Sequence, residues 1–187
     1  QAIETRVVRI GDLSVKAGIE REIDRGGQIY FVTPRVQGME RILDELEAMV
    51  PGARIAKAHG QMPPRQLEDV MRAFIRGEVD ILVTTSIIES GIDVQNANTM
   101  FVHRAERFGL AQLYQLRGRI GRSTRQAYCA FLIPDPRALT EDAQRRIGVL
   151  QTMTRLGSGF ALAVEDMELR GAGNLLGAEQ HGRQLEQ

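Results

Sequence analysis

Apolar residues along this chain follow two rhythms. Short, nearly continuous runs rich in β-forming residues occur at Gln28–Val32, 80–85, 99–102 and 127–133. Runs of this kind mark strands covered on both faces. Between them lie stripes at helical spacing: Val15, Ile19 and Ile23; Ile42, Leu43, Leu46, Met49 and Val50; Leu67, Val70, Met71, Phe74 and Ile75; and a short one at Leu110, Leu113, Tyr114 and Leu116. Residues three and four apart share one helix face. Residues 6–10 alternate weakly and predict an edge strand, and 54–58 predict a further short strand ending at His59-Gly60. Turn chemistry separates the elements. Ser14 is placed to cap the first helix and Gly26-Gly27 to end it. Pro34 stops a strand, Pro51-Gly52 makes a turn, and Pro63 and Pro64 open a helix where a missing N–H costs nothing. Strands alternating with helices predict an α/β fold, a parallel sheet flanked by helices.

Past Pro136 the rhythm changes. Residues 140–156 read as one helix with Ala143, Ile147, Leu150 and Met153 inward. Gly157 and Gly159 form a turn, and 160–182 are glycine-rich and unlike a strand. The expected organisation is an α/β domain over 1–137 and an appendage over 138–187, a helical hairpin and a loop.

Composition narrows the class. The chain has 187 residues, 43% hydrophobic and 26% charged, which suits a soluble globular domain. A chain of this size buries about 70% of its unfolded surface without a metal or disulfide staple. The single cysteine, Cys129, excludes an internal disulfide and fits a reducing cytoplasm; it reads as a core filler. No apolar run or signal pattern points to a membrane. The opening residue is Gln1, which suggests a piece of a longer chain. Basic and acidic residues balance at 24 each, so any nucleic-acid contact must be local. Only Lys16 and Lys57 are lysines, read either as compositional bias or as planar guanidiniums serving phosphates.

Ligands on open α/β sheets sit beyond the carboxyl ends of strands. The segments there are Thr33-Pro34-Arg35, His59-Gly60-Gln61, and the run that begins Thr84-Thr85-Ser86 and ends Gly91-Ile92-Asp93. They read either as ordinary turns or as amides and hydroxyls for a nucleic-acid backbone. The densest signal is Gln115-Leu116-Arg117-Gly118-Arg119-Ile120-Gly121-Arg122. If helical there, Arg119 and Arg122 share a face. Two such arginines clamp a transferring phosphoryl group, or else form a solvated basic helix end.

These runs resemble those of superfamily 2 helicases. The run 81–93 is similar to their motif V, 115–122 to motif VI, and the Thr33-Pro34 and His59-Gly60 turns to motifs IV and IVa. Residues 144–147, 159–162, 168–177 and 180–182 resemble the translocation motif of a duplex-DNA translocase branch. That branch contains the bacterial transcription-repair coupling factors and, as the alternative, the branch-migrating fork-remodelling helicases. The resemblance implies a RecA-like second motor lobe with Arg119 and Arg122 as arginine fingers and Gly91, Asp93 and Gln115 near the nucleotide. It implies double-stranded DNA contacts from Thr33, Arg35, His59, Gly60, Thr84 and Thr85, and coupling through Arg146 and Arg170. It further implies ATP and Mg²⁺ held mainly by an N-terminal RecA-like lobe of the same protein. RNA polymerase and nucleotide-excision repair proteins would be reached through domains outside this chain.

The chain itself contains no Gly-x-x-x-x-Gly-Lys-[Ser/Thr] loop. Asp44-Glu45 lies inside an amphipathic helix and reads as a solvated face, not a metal-holding pair. Neither His59, His103, His181 nor Cys129 has metal spacing. Alone, the chain should therefore not hydrolyse ATP. A non-enzymatic binding module of the same fold stays open beside the motor reading. A small-molecule α/β enzyme is remote for want of Gly-x-Gly-x-x-Gly after a strand.

Overall fold

The computed structural model describes residues 3–85 and 94–156. Gly91, Asp93 and Arg170, with residues 157–187 where the hairpin and loop are expected, lie outside the described residues.

Among the described residues are six strands: β1 (Glu4–Arg9), β2 (Gln28–Val32), β3 (Ile55–Ala58), β4 (Ile81–Thr84), β5 (Ala97–His103) and β6 (Tyr128–Ile133). The five α-helices are α1 (Leu13–Asp24), α2 (Met39–Met49), α3 (Pro64–Ile75), α4 (Leu110–Arg117) and α5 (Glu141–Arg155). The strands form one sheet in the order β1-β6-β5-β2-β4-β3, every pair parallel. β1 is an edge strand, as its weak alternation predicts.

The central strand explains the layering. All five residues of β2 are buried. Alternation sends Ile29 and Phe31 to one face and Tyr30 and Val32 to the other. The first face packs against Val15 and Ile19 of α1 and Met39, Ile42 and Leu46 of α2. The second packs against Phe74 of α3, Leu113 and Leu116 of α4, and Ile147, Leu150 and Met153 of α5. Tyr30 meets Phe74 edge-on, ring centroids 5.2 Å apart. Burying each large apolar side chain in these layers contributes about 1.5–3 kcal/mol. The sheet is thus stabilised from both sides, and its two rims are left free for chemistry.

Helix α5 carries the four inward residues read from its spacing, and all four are buried. Thr140 caps it, its side-chain oxygen accepting from the Ala143 amide at 3.2 Å. Three local expectations need correcting. Asp12, not Ser14, caps α1: its carboxylate accepts from the Ser14 amide at 2.8 Å, because the helix already begins at Leu13. Strand β5 runs from Ala97 to His103, longer than the apolar core of the run. Ile75 is 42% exposed, since it lies one position past Phe74 and turns off the buried face of α3.

Cys129 is enclosed in β6, and burial pushes its thiol up to about 12, against a smaller opposing pull from Arg117. The thiolate is the reactive form. Native protein at pH 8 should therefore leave Cys129 unmodified by a disulfide reagent, and denaturant should expose it. Mass spectrometry of its peptide reads both; prompt labelling without denaturant would contradict the enclosed strand.

Candidate nucleotide and nucleic-acid sites on two rims of the sheet

At the carboxyl rim, β2, β4 and β3 lie side by side, with Val32 and Ala58 both in register with Thr84. That order brings Thr33, Arg35, His59, Gly60, Thr84 and Thr85 to one rim, although they come from three separate stretches of sequence. Their exposure differs. Thr33 and Thr84 are enclosed, and the Thr33 amide donates to the Thr84 carbonyl at 2.9 Å. Arg35 and Gly60 are exposed, while His59 and Thr85 are half-buried. The Gln61 amide donates to His59 Nδ1 at 3.2 Å, which fixes the imidazole over the turn. A Cβ at Gly60 would meet nothing within 4 Å, so the backbone there is open to an approaching group. The rim therefore has an outer layer of Arg35, His59, Gly60 and Thr85 standing on an inner layer of Thr33 and Thr84.

The arginines lie at the other rim. Helix α4 starts after the carboxyl end of β5 and runs back, ending at Arg117 with Gly118 as its C-cap. Arg119 and Arg122 therefore do not share a helix face. They sit in the turn beyond it, where Gly121 takes φ +82°. A Cβ at Gly121 would come within 2.9 Å of Ile3, so this turn is held against the chain that enters β1. The Arg117 Nε donates to the Thr5 hydroxyl at 2.8 Å and its Nη2 to the Ile3 carbonyl at 3.4 Å, a second tie to the same strand. Burial lowers the Arg117 pKa, so its charge serves the frame, not the solvent.

What the turn loses in helical order it gains in convergence. Arg119, Ile120 and Arg122 line one shallow cleft with Val94, Gln95, Ala97 and Asn98 at the amino end of β5. Arg119 is half-buried and its guanidinium has no hydrogen-bond or ion-pair partner among the described residues. Arg122 is exposed and already engaged. Gln115 is exposed on α4, on the approach to this turn. An uncommitted guanidinium held by its neighbours' packing is pre-set to meet an anion. Arg146 is exposed on α5. Asp44 and Glu45 face solvent on α2, Glu45 bonded to Arg41 at 3.3 Å. Among the described residues no group of His, Cys, Asp or Glu is arranged to hold a metal ion, and no helix is long and apolar enough to cross a membrane.

Sequence reasoning missed two features, one in the arginine cleft and one in the backbone. Asn98 is 1% exposed in the arginine cleft, its Nδ2 donating to the Gln95 carbonyl at 2.9 Å. A polar residue inside an apolar strand run was the available sign. Arg104 adopts φ +53° at the turn out of β5, and no sequence pattern marks that. β4 ends at the carboxyl rim and the next strand, β5, begins at the amino rim, so the two candidate sites are adjacent in sequence order.

Residues 13–124 match the helicase conserved C-terminal domain. The chain is 56% identical over 182 residues to a transcription-repair-coupling factor of Myxococcus xanthus, covering 97% of this chain and 15% of that protein. It is 51% identical over 180 residues to the transcription-repair-coupling factor of Bacillus subtilis (strain 168), covering 96% and again 15%. Among solved structures, RecG bound to a three-way DNA junction superposes with a TM-score of 0.73 at 36% identity, over 92% of this chain and 23% of that one. The RecA-like parallel sheet expected from the resemblance is the fold observed. The chain spans about 15% of the length of the curated relatives it matches.

Proposed function

The chain belongs to the helicase conserved C-terminal domain family, and on that premise we propose that it is the second motor lobe of an ATP-driven double-stranded DNA translocase acting in transcription-coupled DNA repair. The observation that supports this most directly is the cleft at the amino rim, where Arg119 has an uncommitted guanidinium beside Arg122. Such a pair fits the anionic oxygens of a triphosphate gripped by another lobe. Bound ATP with Mg²⁺ supplies the phosphoryl group whose transfer to water drives the cycle. The chain's own part is to place Arg119 and Arg122 against the charge that develops, with Gly91, Asp93 and Gln115 as further nucleotide-binding residues. Both ligands are held mainly by the N-terminal RecA-like lobe, so this lobe alone is inactive.

At the opposite rim, Arg35, His59, Gly60 and Thr85, supported by Thr33 and Thr84, contact the backbone of duplex DNA. Contacts of this kind position a protein without reading sequence. Lobe closure shifts that rim along the duplex and opening releases it. Residues 1–137 act as the RecA-like domain and 138–187 as the coupling appendage, with Arg146 and Arg170 passing nucleotide state to movement. RNA polymerase and nucleotide-excision repair proteins bind other domains of the same cytoplasmic protein. The RecG similarity favours a second reading, the same lobe of a fork-remodelling helicase; the higher identity to coupling factors favours the first.

Triplex displacement and DNA-stimulated ATPase, measured together on the intact protein, test the proposal. Arg146→Ala and Arg170→Ala should retain ATPase within about twofold while displacement falls at least tenfold, a loss of about 1.4 kcal/mol or more in coupling. Equal loss of both activities would overturn the coupling assignment. Absence of any DNA-stimulated ATPase in the unaltered protein would overturn the motor reading.

A further inference from the structure

Helices α1 and α2 pack over β5, β2 and β3, and the flank formed by β1 and β6 lies beyond them on that face. Along it Glu4 and Arg6 are exposed, and Val8, Tyr128 and Ala130 are half-buried. Between this flank and α1 is a cavity of about 90 Å³, whose lining includes Glu4 and Tyr128, the first residues of β1 and β6. We infer that this flank is a docking surface whose cavity receives an aspartate or glutamate side chain from another region of the same long polypeptide.

Size selects the class of occupant. One water needs about 10–15 Å³ of such space, whereas sites for small-molecule ligands measure about 300–1,000 Å³. The cavity therefore suits one side chain and not a metabolite. Charge selects which side chain. The Arg21 guanidinium lies flat on the Tyr128 ring, 3.6 Å from its centroid. That stacking fixes its plane and leaves its N–H edge without an acceptor among the described residues. Two acids beside it are engaged, Glu4 accepting from Arg6 at 2.8 Å and Glu22 from Arg25 at 2.8 Å, and Asp24 on the same helix forms no ion pair with it. Arg21 is thus the uncompensated cation of the flank. The second donor on the same lining is Thr99, 1% exposed, whose hydroxyl has no hydrogen-bond partner among the described residues. Buried hydroxyls are ordinarily bonded, and an incoming carboxylate would accept from this one and from Arg21 together.

The source follows from length. The relatives in which this stretch occurs are far longer, and it makes up 15% of each. A bare sheet flank in such a protein meets its own neighbouring domains at high effective concentration before it meets any free partner.

The test uses the intact protein with Arg21→Lys, which keeps the charge and supplies an amine for zero-length carbodiimide coupling to a touching carboxylate. The Lys57–Glu40 ion pair serves as the internal standard for coupling yield. The expected product joins position 21 to an Asp or Glu outside residues 1–187 of the same polypeptide, at a yield within about threefold of the standard. Coupling only within 1–187, coupling to a different polypeptide, or the standard product alone would each overturn the inference.

Discussion

In the intact protein, replacing Arg119 by alanine should lower ATP turnover by about 10³-fold or more, and Arg122→Ala by a similar factor. A guanidinium that meets the developing charge of phosphoryl transfer contributes only in the transition state. The loss therefore falls on kcat, with KM for ATP changed much less. Folding is spared, because Arg119 makes no hydrogen bond or ion pair among the described residues and its removal orphans nothing there. Arg119→Lys is the sharper probe. It retains the charge but replaces a planar fork by a point cation, so it recovers only part of the loss. Single-turnover measurement with the intact protein and duplex DNA separates chemistry from product release. Turnover within threefold of the unaltered protein in both alanine variants would remove the finger assignment, and with it the main support for the motor reading.

The second large effect is on stability. Glu22 lies at 0% exposure at the end of α1, and Arg25 is its cation. The Arg25 Nη2 donates to Glu22 Oε1 at 2.8 Å and to the Gln126 carbonyl at 2.7 Å, so one side chain ties α1 to the chain entering β6. Hydrogen bonding and charge from Glu22 raise the Arg25 pKa despite its partial burial. Arg25→Ala leaves the carboxylate enclosed without a counter-charge, and breaking such a pair costs about 3–5 kcal/mol. Arg25→Ala with Glu22→Gln removes the stranded charge and should recover more than half of that. Hydrogen exchange of the α1 and β6 amides in the intact protein reads the loss locally, as protection factors reduced by about 10² or more. A change below about 1 kcal/mol for Arg25→Ala would show that the carboxylate finds water or another donor.

Local patterns were legible where one face of an element is buried and the other is wet. Ala143, Ile147, Leu150 and Met153 could be read from spacing alone, as could the largely apolar, wholly buried β2. The cap of α1 was not, because Asp12 and Ser14 are both good caps and only the backbone decides between them. The arginine turn shows the harder limit. Motif spacing marked Arg119 and Arg122, but a helical face for them required Gly118 to continue a helix that it ends. Their meeting with Asn98 depends on α4 running back beside β5, a long-range packing fact with no local sequence code. The gathering of Thr33, His59 and Thr84 depends likewise on β4 inserting between β2 and β3. Strand order is set by the whole core, so residues can be named from sequence well before their neighbours can.

Strand order also governs how the lobe is made. β1 is synthesised before the other described strands, yet its sheet partner is β6, the last of them in sequence, in register from Glu4–Tyr128 to Arg9–Ile133. Strands β2, β3 and β4 can find one another early in synthesis, while β1 waits with its hydrogen-bonding groups unmet until β6 emerges. Pairings this distant in sequence close slowly, and an unpaired strand is where nascent chains associate wrongly. The arginine turn, braced against Ile3 and Thr5, is completed only when that last pairing forms. A half-translated lobe therefore has its carboxyl rim in place before the arginine turn at its amino rim exists.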